Sequence, residues 1–312
     1  MKKVLKIIGI ALLVIIVIVA ALFLYISKKP VVSDDYINKV QTGGSIEEKY
    51  LAMGSHDVSY WEQSVMQDFK KYEVYYPSDI AESTVKYPVV IFSNGTGVCG
   101  SKYPAILKHL ASWGFIVMAT EEENSWSGLS SELCLRTITL LNETESVDGW
   151  ADNPFYGHVD TGNIGVSGHS QGGVGVMSAA TTMEHHDMIR AIFAASPTNI
   201  TLAKGLQWDY DPSLITVPIF LVSGTGNADE NLVVSGQQLT DIYNIVPDSV
   251  TKVMARRTGA DHPDMLTFAD GYMTAWFMWQ LQGDDEAARA FTGDNAEILN
   301  NEFYQDQQTS IR

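Results

Sequence analysis

Cysteine is nearly absent: two residues in 312, Cys99 and Cys134. That excludes a disulfide-built scaffold or a multi-thiolate metal centre. Whether the two pair or stay as buried thiols is left open, because spacing alone fixes no connectivity. Basic side chains are scarce too, with 20 Lys and Arg against 37 Asp and Glu and a formal charge of −17. Five of them (Lys2, Lys3, Lys6, Lys28, Lys29) lie in the first 30 residues, which hold no acid. Residues 31–312 therefore carry 15 basic and 37 acidic groups, a net −22. So acidic a body is unsuited to nucleic acid or to adsorption on anionic lipid, and its charge reads as a solubility feature. No internal repeat is found. Gly165-Val166-Ser167-Gly168 and Gly224-Thr225-Gly226 both lack the G-x-G-x-x-G pattern with its following acid, which removes a dinucleotide site. His185 and His186 with their neighbouring acids have no established ligand spacing, so no metal and no organic cofactor is expected.

One long apolar run is present. Ile7–Ile26 is 20 residues without a charge, the length that spans a bilayer as a helix. No Ala-x-Ala site follows it, and no early cysteine could carry a lipid. The expectation is an uncleaved signal anchor, with Lys2, Lys3 and Lys6 cytoplasmic and the body outside, although Lys28 and Lys29 blunt the charge asymmetry. A cleaved secretion signal is the alternative. This divides the chain into a stub and anchor over residues 1–30, a polar juxtamembrane spacer over 31–54 and a folded domain over 55–312.

With 46% apolar and 10% aromatic residues, the body can bury a sizeable core. Strand-like runs occur at Val58–Trp61, Tyr72–Tyr76, Tyr87–Ser93, Phe115–Ala119, Ile164–Ser167, Ala191–Ala195, Pro218–Ser223 and Val250–Ala255. The third is apolar throughout, as a central strand buried on both faces should be. Helical spacing intervenes at Ala105–Trp113, Leu129–Leu141 and Val174–Thr182, and Met273–Leu281 reads as a buried helix. Apolar strands separated by helices predict an α/β fold, a mostly parallel sheet covered on both faces.

The chemistry centres on Gly168-His169-Ser170-Gln171-Gly172. A Ser on a sharp strand-to-helix turn exposes its hydroxyl above the sheet, and the glycines at 168 and 172 leave room for so tight a turn. Ser needs a base to take its proton and an acid to orient the base, following in the chain order Ser, acid, His. Of seven His, only His262 follows the last expected strand in a loop, Thr258-Gly259-Ala260-Asp261-His262-Pro263. The acid is expected after Pro218–Ser223. Asp229 is favoured there, Glu230 is the alternative, and an Asp that merely caps a helix would look the same. The oxyanion donors are expected to be the N–H groups of Gln171 and of Thr96, in Asn94-Gly95-Thr96. That tripeptide is also a glycosylation sequon, as are Asn142-Glu143-Thr144 and Asn199-Ile200-Thr201, and all three read as accidental.

These residues make the stretch from about Tyr72 to Gln282 resemble the α/β-hydrolase superfamily. The likeness is to its lid-less branch of cutinase-like and polyester hydrolases, dienelactone-hydrolase-like and chlorophyllase-like enzymes. It is carried by Pro88-Val89-Val90-Ile91-Phe92-Ser93-Asn94-Gly95, Gly114-Phe115-Ile116-Val117, the Ser170 motif, Val217-Pro218-Ile219-Phe220 and the His262 loop. It implies an α/β-hydrolase fold and an acyl-enzyme mechanism. The chain departs from that branch in several places. Asn94 stands where a His is usual, Gln171 where Met is usual, and Ser196-Pro197-Thr198-Asn199 where an aromatic clamp is usual. The ungapped counterpart of the polyester hydrolases' acid would fall near Asn227, so Asp229 requires a loop two residues longer. Polyester hydrolysis is therefore not implied.

The short connection between Ala195 and Val217 leaves no room for a cap domain, so an open cleft is expected, bordered by Trp126, Trp208 and Tyr210. Such a cleft suits a small or polymer-displayed ester. The expected protein is a membrane-anchored extracytoplasmic serine hydrolase using Ser170, His262 and Asp229. An acyltransferase with the same residues and a non-catalytic binding module remain as alternatives. Activity should rise with pH as the base loses its proton.

Overall fold

The computed structural model describes residues 29–65 and 67–311. Among the described residues nine strands form one sheet: β1 (Val58–Ser64), β2 (Lys71–Pro77), β3 (Tyr87–Ser93), β4 (Ile116–Thr120), β5 (Val159–His169), β6 (Ile189–Ala195), β7 (Ile219–Gly224), β8 (Lys252–Arg257) and β9 (Tyr304–Thr309). Their order is β1-β2-β4-β3-β5-β6-β7-β8-β9. The six strands from β4 to β8 pair in parallel, while β1, β2 and β9 are antiparallel additions at the two edges. This is the expected α/β architecture, with one strand more than the apolar runs predicted. The missed strand, β9, is Tyr-Gln-Asp-Gln-Gln-Thr, largely exposed at the edge. With no second buried face it has no apolar signature.

Each central strand divides its side chains between two cores. Val90 and Phe92 of β3 join the core on one face, Val89 and Ile91 the core on the other. β7 does the same, with Phe220 and Val222 on one side and Ile219 and Leu221 on the other. Period-two geometry under two covered faces makes these strands apolar at every position. The first face is covered by α1 (Ser45–Leu51), α2 (Pro104–Ser112) and α7 (Asp270–Gln282). The second is covered by α3 (Leu129–Glu143), α4 (Gln171–Thr182) and α6 (Gly236–Ile245). α5 (Ile200–Gly205) and one turn at Pro212–Leu214 are the only helical elements between β6 and β7, so no cap domain intervenes.

The stretch 31–54, expected to be a spacer, is packed onto the body. Val32, Tyr36, Ile46, Tyr50 and Leu51 are all buried. The Tyr36 hydroxyl donates to Asp270, which pairs with His109 Nδ1 at 2.8 Å, both side chains being fully buried. Burial alone would push His109 down, but the neighbouring Asp270 outweighs it and holds the imidazole above its ordinary value. The polar residues of this stretch masked an amphipathic helix too short for a clear period.

Among the described residues no helix is long and apolar enough to cross a membrane. The run Ile7–Ile26 lies outside them. Cys99 and Cys134 are both free thiols, Cys134 buried and Cys99 half-buried. Burial pushes both thiols up, so neither is poised as a nucleophile.

Candidate active site

Parallel strands place their C-terminal ends along one edge, and the candidate residues all emerge there. β5 carries the chain into Ser170, whose φ of 61° and ψ of −120° no ordinary L-residue adopts at rest. The strain is held from both sides. Ser170 N–H donates to Ala195 O at 2.9 Å, and Ser170 O accepts from Gly173 N–H at 3.0 Å. Gly172 is required at this turn, because a Cβ there would stand 2.1 Å from Ser93 O.

The candidate base and acid, His262 and Asp229, come from the ends of β8 and β7. His262 Nδ1 lies 2.7 Å from Asp229 Oδ1. A carboxylate only accepts, so Nδ1 carries the proton and the Nε2 lone pair is left for a substrate-side proton. Asp229 is fully buried, and its other oxygen accepts from Ser196 Oγ at 2.6 Å and from Gly224 N–H at 2.7 Å. Glu230, the alternative acid, is exposed and faces away, paired with Arg256. Asp229 begins a single π-helical turn, Asp229–Val233.

Two residues that sequence reasoning did not single out organise the pair. Asp261 Oδ1 accepts from His262 N–H and from Ala228 N–H, each at 2.8 Å, and so clasps the base loop to the acid loop. These backbone donors hold its carboxyl below the usual range. Gly226 makes the approach possible, since a Cβ there would lie 2.6 Å from Asp261 Cα. His169, the residue before Ser170, donates from Nε2 to His262 O at 2.8 Å. Burial, then the neighbouring His262, push His169 down to about 3. It is therefore neutral. The Asp-His sequence at 261–262 is the one signal that could have pointed to the clasp.

Ser170, His262 and Thr96 line one cleft of about 310 Å³, with Val31, Gly95, Val98, Tyr103, His169, Pro263 and Leu266. No Asp, Glu, Lys or Arg side chain is among these lining residues. The turn holding Gly95 and Thr96 is set by Asn94, whose amide donates to Thr120 O and Glu122 O, both at 2.7 Å. Asn94 and Asn199 are both buried, and their side-chain amides donate to backbone carbonyls. Gln171 is fully buried, and neither polar atom of its side chain finds a partner among the described residues. Its backbone amide, at the first turn of α4, is the feature the oxyanion expectation invokes.

The expected aromatic border is not where the sequence put it. None of Trp126, Trp208 and Tyr210 lines the cleft. Tyr210 packs against the second core and donates its hydroxyl to Thr198 O at 2.9 Å, since a buried phenol needs a partner. Trp126 sits on a turn that runs against α4, where Gly175 lets Ser125 O come close.

Glu132, Glu184 and His185 do converge. However, Arg136 already pairs with both carboxylates and His185 with Glu132, so these ligand atoms are committed to partners within the cluster.

Over residues 38–309 the chain matches the PET hydrolase-like family. The chain belongs to that family. It is a serine hydrolase of carboxylic esters, within the cutinase and polyester-hydrolase branch of the α/β-hydrolase superfamily. Among the readings left open by the sequence, family membership selects hydrolysis over acyl transfer or mere binding. No curated protein matches the chain.

Proposed function

We propose that the protein is a membrane-anchored, extracytoplasmic esterase acting through Ser170, His262 and Asp229. The supporting observation is the 2.7 Å contact of His262 Nδ1 with the buried Asp229, made at the wall of the same cleft that holds the strained Ser170. In this reading His262 Nε2 takes the Ser170 proton as Oγ attacks the acyl carbon. The N–H groups of Gln171 and Thr96 receive the developing oxyanion. His262 then gives the proton to the departing alkoxide, leaving an acyl-serine and a free alcohol. A water molecule, deprotonated by the same imidazole, attacks the acyl carbon and restores Ser170 with release of the acid. Asp229 keeps the imidazole in the required tautomer and balances its transient positive charge.

Anchoring rests on Ile7–Ile26, 20 uncharged residues preceded by Lys2, Lys3 and Lys6. The cleft accepts an uncharged ester of short acyl length, at the small end of ligand pockets. A fluorophosphonate probe should label Ser170 in the full chain, and Ser170→Ala and His262→Ala should each remove the label. Persistent absence of labelling in folded protein would sink the esterase assignment to this serine.

A further inference from the structure

The segment leaving the apolar run forms part of the catalytic cleft. Val31 lines it beside Ser170 and His262, and Val31 N–H is fixed to Lys102 O at 2.9 Å. Lys102 Nζ in turn donates to Lys29 O at 3.3 Å. Val32 and Tyr36 are buried immediately behind. The point at which the chain leaves the body is thus held at the cleft, and cannot swing to another face without unpacking residues 31–36.

Only four residues, Ser27 to Pro30, separate Ile26 from Val31, and the five steps between the two Cα atoms reach roughly 17 Å when fully extended. A headgroup layer is itself roughly 5–8 Å deep on each side of the hydrocarbon. If Ile7–Ile26 spans the bilayer, as proposed above, the mouth of the cleft stands within roughly 10 Å of the membrane surface. A tether attached at the far side of the body would have turned the site toward solvent.

Resting on that reading, we infer that the cleft faces the bilayer, and that the substrates are esters carried in the headgroup layer by membrane-embedded amphiphiles. The chemistry of the wall agrees. Val31, Val98, Pro263 and Leu266 offer an uncharged rim, while the remainder of the body, at −22, is repelled by anionic surfaces. The cleft of about 310 Å³ takes the ester and a short acyl group. The rest of the amphiphile stays in its leaflet and is never extracted, so no cap or long acyl tunnel is required.

The test uses the full chain in phosphatidylcholine nanodiscs, with and without a Gly/Ser insertion after Lys28. An insertion of about 20 residues has an end-to-end distance of roughly 25 Å and frees the orientation of the body. Each protein is given the same fluorogenic butyryl ester in two forms, free in water or linked to the headgroup of a two-chain lipid in the disc. The native chain should hydrolyse both. The insertion should cut turnover of the lipid-linked ester by about tenfold, through lost orientation and effective concentration, and leave the soluble ester within about twofold. An unchanged rate on the lipid-linked ester after insertion would overturn the inference. So would a native chain that hydrolyses the soluble ester alone. A chain inactive on both esters would refute the esterase reading instead, and one that fails to stay with the disc would refute the anchor. Either result takes this inference with it and is told apart by the soluble-ester rate and by disc retention.

Discussion

The rings of His169 and His262 lie 4.5 Å apart at 37°, with His169 Nε2–H bonded to the His262 carbonyl. A charged neighbour at that distance would oppose formation of the imidazolium on which the proposed mechanism depends. With His169 held down to about 3, it stays neutral and serves as packing and as a backbone tie.

Replacing His169 by Phe should keep the ring contact and lose the tie, lowering kcat by about tenfold through a loosened base loop. The pH dependence has a definite sign. A folded value below the ordinary 6.5 stabilises the fold above that pH, and the stability is lost as pH falls toward 3. Thermal unfolding from pH 7 to 4 should therefore show a steeper acid decline in the native protein than in His169→Phe.

Asp229→Asn should cost about 10⁴-fold in kcat, because an amide stabilises the wrong imidazole tautomer. Glu230→Gln should change kcat by less than about threefold, its partner Arg256 pointing away from the base. Steady-state kinetics on a soluble ester reads both. A large loss at Glu230 alone would contradict the assignment of the acid.

Asp261 is not among the residues lining the cleft, yet it ties His262 N–H to Ala228 N–H. Asp261→Ala should lower kcat by about 10–100-fold with KM nearly unchanged, since sub-ångström displacement of a base is costly. Asp261→Asn keeps an acceptor oxygen and should recover most of the loss.

Gln171→Met should raise stability by about 1–3 kcal/mol. It removes a buried amide with no partner and replaces it by a thioether of similar volume. Activity should persist, because only the backbone N–H at this position is asked to act. Chemical denaturation and esterase rate, measured together, check the two halves.

Glu122 sits behind the oxyanion turn, and its carbonyl accepts from Asn94. Burial pushes its carboxyl up to about 7. A raised folded value means that the contribution is fully present below about pH 4.5 and lost as pH rises through 7. The loss is at most about 3 kcal/mol. Glu122→Gln should flatten the stability profile between pH 5 and 8, as followed by thermal unfolding.

The parallel core was legible because two covered faces leave an unbroken apolar signature, as in Val89 to Phe92. The polar edge strand β9 and the short helix α1 were not legible, because a single buried face or two helical turns leave too little pattern. Ser170 and His262 could be named from motif and chain order. Asp229 could be preferred but not separated from Glu230. The aromatic border failed because nothing in the residues Trp126, Trp208 and Tyr210 distinguishes a rim from packing.

By itself the sequence determined the fold class, the strand-to-helix turn at Ser170, the chain order of the candidate site residues and the apolar run ahead of the body. These depend on local sterics and on hydrophobic periodicity, which are properties of neighbouring residues. Only the tertiary structure decided that Asp229 rather than Glu230 meets His262, that Asp261 and His169 hold the base, and that Val31 borders the cleft. Those contacts join residues 33, 93 and more positions apart, and no local pattern encodes which distant surfaces will meet.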